Sequence, residues 1–152
     1  MANKKIIASI IIEVIGKPPE HLAKVLEDIS NKINQEKGVK VQSKKINKSL
    51  PLKESKDFFT NFAEIEIQTE EFKDLFKIIL FYMPAHVEII SPENISSSNN
   101  DLNEIINTLT QKLHKYDETA RILQTQKSQM EKKLKELLPK DNSKEKENQS
   151  PN

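Results

Sequence analysis

The sequence predicts an α+β domain followed by one long helix, and three observations lead to this fold class. Segments with apolar residues at every second position alternate with segments in which they recur every three or four positions, which are the periods of strands and helices. Gly and Pro residues separate these segments. The stretch 101–138 then contains neither Gly nor Pro and repeats its apolar residues in heptads.

The composition restricts both the compartment and the partners. The 152 residues carry a net charge of +1, from 24 basic and 23 acidic residues that are mixed along the chain. A nucleic-acid binder concentrates positive charge, so nucleic acid is an unfavoured partner. The absence of Cys excludes disulfides, thiolate metal sites and Cys nucleophiles, and indicates a cytoplasmic protein.

The first apolar segment, Ile6 to Ile15, predicts a buried strand. It is rich in β-branched residues, and Ser9 and Glu13 interrupt it. It is also about half the length of a membrane span, so we expect no membrane association. Gly16-Lys17-Pro18-Pro19 ends the strand, because Pro cannot donate to a strand ladder.

The next segment predicts a helix that starts near Pro19 and stops at Gly38. One stripe of this helix is apolar and consists of Leu22, Val25, Leu26, Ile29 and Ile33.

A second strand is predicted around Val39 and Val41, which alternate with polar residues. The Lys-rich stretch Lys44 to Lys56 is interpreted as a long, mobile connection. Phe58 to Gln68 predicts the third strand, because its apolar residues alternate with Glu.

A second helix is predicted between Thr69, as its N-cap, and Pro84. Its apolar stripe consists of Phe72, Leu75, Phe76, Ile79 and Met83. Val87 and Ile89 then alternate with polar residues in a fourth strand.

This β-α-β-β-α-β order is the ferredoxin-like arrangement, a sandwich with both helices on one face of an antiparallel sheet. Strands one and three are expected to lie side by side in its centre. We therefore expect an α+β domain over 1–93, a polar linker over 94–100, the long helix over 101–138 and a disordered tail over 139–152.

The long helix carries the strongest signal. Asp101 and Glu104 match a capping box. Leu102 starts a heptad pattern of core positions, and Lys127 is the one charged residue among them. The predicted coiled-coil interface consists of Leu102, Ile106, Leu109, Leu113, Tyr116, Ala120, Leu123, Met130, Leu134 and Leu137. The alternative is an amphipathic helix that packs in part on its own domain, which Ile105 and Ile122 favour by widening the stripe.

The residues that could carry chemistry match no catalytic, cofactor or metal motif. The three His have no ligand-pattern neighbours. Strand parity gathers acidic residues and one His on the open face of the sheet, where oxygen ligands suit a hard cation. These residues are Glu13, Glu64, Glu66, His86 and Glu88. A solvated sheet face is the preferred interpretation, so we expect no metal, no cofactor and no enzyme activity.

The segment Val14 to Leu26 resembles the first strand, turn and helix of ACT-type regulatory domains, which share the βαββαβ fold. This resemblance implies a small-ligand site at the turn, on Gly16, Pro19, Glu20 and His21. Glu20 stands where that family has the turn Gly. In composition and layout the whole chain also resembles small uncharacterised proteins of archaeal type.

Three functions follow as hypotheses. The first is a non-enzymatic interaction protein, expected to be a homodimer, that self-associates or docks on a protein partner through the long helix. The second is an ACT-like sensor of small ligands. The third is an RNA- or ribosome-associated factor, which would use the lysines of the Lys-rich stretch, namely Lys44, Lys45, Lys48, Lys53 and Lys56.

Overall fold

The α+β fold class is confirmed by a computed structural model, which describes residues 5–138. The chain divides into two compact units, Met1–Asn107 and Thr108–Asn152. The first unit contains the sheet, two helices and the start of the long helix. The predicted disordered tail 139–152 lies outside the described residues.

The elements follow one another as β1 (Ile6–Gly16), α1 (Pro19–Gln35), β2 (Val39–Ile46), β3 (Leu50–Leu52), β4 (Ser55–Thr69), α2 (Phe72–Tyr82), β5 (His86–Ser91) and α3 (Asn99–Leu137). All strand pairs are antiparallel, and the four longer strands lie in the order β2-β4-β1-β5. β3 pairs with β4 beside this path. The predicted central pair of strands is therefore confirmed, as β1 and β4.

The core lies on one face of this central pair. Along β1 the side chains alternate, so that Ala8, Ile10 and Ile12 are buried while their neighbours are half-exposed or, at Glu13, exposed. In β4, Ile65 and Ile67 lie on the same face and are fully buried. The pairing of Ile10 with Ile65 fixes this match, because a shift by one residue would turn each side chain to the other face.

Both helices cover this face. Leu26 and Ile33 of α1 and Leu75 and Ile78 of α2 join the sheet residues in one buried cluster. This placement of the helices confirms the prediction. The opposite face of the sheet carries the half-exposed Ile7 and Ile11 of β1 together with polar residues.

The predicted mobile connection from Lys44 to Lys56 is wrong. β2 continues to Ile46, β3 follows, and β4 already begins at Ser55. The cause is the length of β4, whose 15 residues offer pairing partners to both β2 and β3. The lysine-rich sequence did not indicate a strand here, because none of the side chains of β2 is fully buried.

The second helix ends before Pro84 as predicted, but its predicted N-cap Thr69 and its predicted stripe residue Met83 are wrong. Thr69 is buried and pairs with Ile6 of β1 and Val39 of β2, so it ends the strand and does not cap the helix. Met83 lies beyond the last helical residue with φ 47° and is exposed. The stripe prediction missed Ile78, which is buried beside Leu75.

α1 ends at Gln35, three residues before the predicted stop, and Gly38 lies in the turn that leads into β2. Its φ is 76°, a left-handed conformation that Gly adopts at little cost. An added Cβ would also lie 2.6 Å from a carboxylate oxygen of Asp74 in α2. Gly38 therefore lets the chain turn from α1 into β2 close to the start of α2.

The two outer strands of the sheet, β2 and β5, both pair with an irregular register. β2 carries Lys40, Lys44 and Lys45 and shifts register between Val41 and Ser43. β5 has only six residues, and the β1–β5 pairing shifts between Ile7 and Ala8.

The C-terminal ends of α1 and α2 are joined by one hydrogen bond. The hydroxyl of Tyr82 donates to Oε1 of Glu36 at 2.7 Å. Burial and this carboxylate together raise the pKa of Tyr82 to about 12, because both favour the neutral phenol over the phenolate.

Replacing Ile65 with Ala is expected to lower the free energy of unfolding by about 2–5 kcal/mol, because it truncates a fully buried side chain in the cluster that both helices join. Ile90→Ala is the matched control, since Ile90 is 53% exposed and should change stability by less than about 0.5 kcal/mol. Urea denaturation followed by circular dichroism measures both. Equal losses for the two variants would contradict the assignment of the core face.

The free energy of unfolding should fall as the pH rises from about 10 to about 12. In this window the unfolded chain ionises its tyrosines while folded Tyr82 keeps its proton, so the unfolded state is favoured. Absorbance titration of the phenolate reports the pKa directly. Glu36→Gln should lower the pKa of Tyr82 towards its ordinary value, and an unchanged titration curve would show that the carboxylate has no part in the shift.

Candidate protein-interaction site

The long helix begins with a serine cap. Ser98 precedes α3, and its Oγ accepts a hydrogen bond from the backbone N–H of Asp101 at 3.1 Å and donates to Oδ2 of Asp101 at 2.6 Å. The predicted capping box of Asp101 and Glu104 is therefore wrong by one turn. Asp101 is the third helical residue, where its carboxylate favours the positive end of the helix dipole.

The first turns of α3 belong to the α+β unit. Ile105 is 9% exposed and is the buried residue of this helix. Leu102 lines a cleft with Phe72 of α2, Ile89 of β5 and Ile95. The pKa of Lys73 in α2 is raised mainly by the neighbouring carboxylate of Glu71, and Asp101 of α3 and Asp74 of α2 add to this effect.

From Ile106 onward the predicted interface residues are exposed. Their exposed fractions run from 38% at Leu109 to 82% at Leu137, and Leu113 and Leu123 are each 58% exposed. These residues recur in heptads on one continuous helix, so they form an apolar stripe that lies in water. We call this stripe, from Ile106 to Leu137, the seam.

Polar contacts run along α3, and two of them involve the seam residues Tyr116 and Lys127. Arg121 pairs with Asp117 at 2.9 Å, and Lys127 lies 3.8 Å from Glu131, both one helical turn apart. The ammonium of Lys112 lies 5.7 Å from the ring centre of Tyr116. Such pairs support a solvated helix by a few tenths of a kcal/mol each. They leave the leucines of the seam uncovered.

The predicted ligand turn lies between β1 and α1. Gly16 ends β1 and Pro19 begins α1, while the side chains of Glu20 and His21 are exposed in the first turn of the helix. The hydroxyl of Ser49 donates to the carbonyl oxygen of Pro19 at 2.8 Å. The four residues are neighbours along one turn, and Ser49, the residue before β3, is hydrogen-bonded to this turn.

The register of the strands brings the predicted acidic residues to one face. Ser9 of β1 stands between Glu66 and Glu88, and Ile11 stands between Glu64 and His86. Apolar and hydroxyl side chains thus separate the acids along the sheet. Within residues 5–138 no group of three His or acidic side chains could hold a metal ion.

Several of these carboxylates already have partners. Oε1 of Glu13 accepts a hydrogen bond from the hydroxyl of Thr60 at 2.7 Å. Glu64 lies 3.9 Å from the ammonium of Lys45, and Lys44 forms an ion pair with Glu27. The lysines of β2 are therefore mixed with acids and do not form a separate basic surface.

Sequence reasoning missed the cleft beside the start of α3. Ile89 and Ile90 of β5 are 42% and 53% exposed, and the cleft also contains Pro92 and Ile95. The available signal was the pair Ile89-Ile90, which breaks the alternation of the fourth strand. A strand with one wet face does not need two adjacent isoleucines.

The sequence of residues 7–146 matches the model of the MJ0538 family. The chain belongs to this family. A relative in Methanocaldococcus jannaschii, named uncharacterized protein MJ0538, is 27% identical over 110 residues. The alignment covers 72% of this chain and 41% of that protein, so the matched part spans about two fifths of the length of this relative.

The family membership confirms the resemblance to uncharacterised archaeal proteins, and the ACT resemblance stays a prediction. No solved structure matches the chain. Among residues 5–138, none of the helices has the length and apolar content that crossing a membrane requires.

The neighbouring residues Ile105 and Ile106 should differ in their effect on the α+β unit. Ile105→Ala is expected to destabilise this unit by about 2 kcal/mol, because it empties a buried site. Ile106 is 57% exposed, so Ile106→Ala should change it by less than about 0.5 kcal/mol. Hydrogen exchange of the β4 amides measures both. An Ile105→Ala variant as stable as the wild-type chain would show that the start of α3 does not stabilise the unit.

Proposed function

We propose that this member of the MJ0538 family is a non-enzymatic, cytoplasmic interaction protein. Its long helix α3 assembles it with a second helix, and its α+β domain is the recognition unit that the assembly presents. Pairing two copies would raise avidity for any partner with repeated sites.

The observation that carries this proposal is the seam. Exposed leucines such as Leu113, Leu123 and Leu134 repeat over about four heptads without a Gly or Pro. Isolated exposed apolar residues are ordinary on protein surfaces, but a continuous stripe is typical of an interaction surface. Burying it against a second helix would gain about 25 cal/mol for each Å² removed from water.

Fewer observations support the two other hypotheses, an ACT-like ligand sensor and an RNA-associated factor. An ACT-like ligand site would use the turn at Gly16 to His21, where Ser49 already bonds the carbonyl of Pro19. An RNA-associated factor would use Lys44, Lys45, Lys48, Lys53 and Lys56, of which Lys44 and Lys45 lie close to Glu27 and Glu64.

Two adjacent residues test the proposal. Leu123 lies in the seam and Ile122 lies beside it, yet they are similarly exposed, at 58% and 51%. Leu123→Lys should lower the molar mass in solution to that of one chain, because it places a charge in a contact that excludes water. Ile122→Lys should leave the mass at that of the assembled wild-type chain. Light scattering after gel filtration measures both.

The helical content of both variants, measured by circular dichroism, controls for loss of α3 itself. An assembled Leu123→Lys chain would contradict the seam as the contact. Equal dissociation of both variants would show that charge on any face is sufficient, and would also contradict it.

A further inference from the structure

We infer that the helix which covers the seam is α3 of a second copy of this chain, running in the opposite direction with Ile106 opposite Leu137. This inference rests on the proposed function and adds the identity, direction and register of the second helix. Three features of α3 lead to it: the ends of the seam, the match of its layers and the place of Lys127.

The two ends of the available seam are set by Leu102 and Leu137. Leu102 follows the heptad pattern, but it lines the cleft beside Phe72 of α2. Leu102 therefore contributes to the α+β unit and is not counted as part of the seam. The stretch open to another helix begins at Ile106 and ends at Leu137, which is 82% exposed.

The seam is complementary to its own reverse. When two heptad helices run in opposite directions, the first core position of one faces the second core position of the other. Placing Ile106 opposite Leu137 gives every residue of the seam a seam partner, with none left over at either end. Two further layers are Leu113 with Met130 and the small Ala120 with the large Leu123.

Lys127 distinguishes the two directions. In the opposed arrangement it faces Tyr116 of the second copy, and Asp117 of that copy lies next to this ring on the adjoining flank. The phenol ring attracts an ammonium group, and the carboxylate of Asp117 can accept its hydrogen bond. Asp117 is 61% exposed and already turned to a cation, Arg121 at 2.9 Å.

Helices running in the same direction would place Lys127 against Lys127. Two ammonium groups would then share a contact from which water is excluded, and the flanking residue across the seam is the neutral Gln126. That direction would gain a pair between Lys112 and Asp117 at the wet rim, where salt and water screen charges. The charge inside the seam therefore decides the direction.

Lys127 also fixes the register. A shift by one heptad either way would move Lys127 opposite Leu109 or Leu123 and leave seam residues unpaired at the ends. In the inferred register the paired helices overlap for roughly 47 Å, from a rise of 1.5 Å per residue. The two starts of α3, which carry the α+β units, then stand at opposite ends of the pair.

Spin labels on the outer face of the full-length chain test direction and register. The chain contains no Cys, so Gln111→Cys and Thr125→Cys each provide one labelling site away from the seam. Opposed helices predict about 40 Å between labels at residue 111 and about 25 Å between labels at residue 125. Helices in the same direction predict about 25 Å for both. Electron–electron double resonance measures these distances, and light scattering confirms the mass.

The outcomes separate this inference from the proposed function. The long and short distances together, in a chain with the mass of a dimer, support the inference. Two short distances in a dimer overturn the direction and leave assembly through α3 standing. A wild-type chain with the mass of one copy overturns the inference, and then only a different protein can supply the second helix. Lys127→Leu provides a second test: it should remove the preference for one direction, so that the residue 111 distances become mixed.

Discussion

The antiparallel pairing of β1 with β4 is the constraint on which the rest of the structure depends. It joins eleven residue pairs from Ile6–Thr69 to Gly16–Phe59, and its register places Ile10 beside Ile65 on the face that both helices cover. β2 and β3 pair with β4, and β5 pairs with β1. The register of the central pair therefore determines which side chains of each outer strand point to the core face. Register here is strongly specified, because a slip by one residue would expose the whole core row.

In α3, too, adjacent residues have opposite surroundings. Ile105 is buried in the α+β unit, whereas the next residue, Ile106, is exposed to solvent. A helix presents successive residues about 100° apart, so it can hold one face to its own unit while another remains open. The position of Leu102 in the cleft extends the held face by one turn.

Much of this fold could be predicted from the sequence, because strand and helix periods differ clearly where one face is buried. The alternation in β1 and β4 and the stripe of α1 located the core. Local signals misled where tertiary pairing decides: the lysines of β2 resembled a loop until β4 supplied a partner strand, and Thr69 resembled a cap although two strands hold it. The heptads of α3 were visible in the sequence, but which of its residues the α+β unit keeps depends on contacts with distant residues such as Phe72.

The edges of the sheet also determine where copies of this chain can meet. An unpaired edge strand is a template for another strand, and folded proteins protect such edges with lysines, irregular register and short strands. β2 has the first two of these devices in Lys40, Lys44 and the shift after Val41, and β5 has the third. These features disfavour pairing of the edge strands of two molecules, and so they protect the sheet from edge-to-edge aggregation.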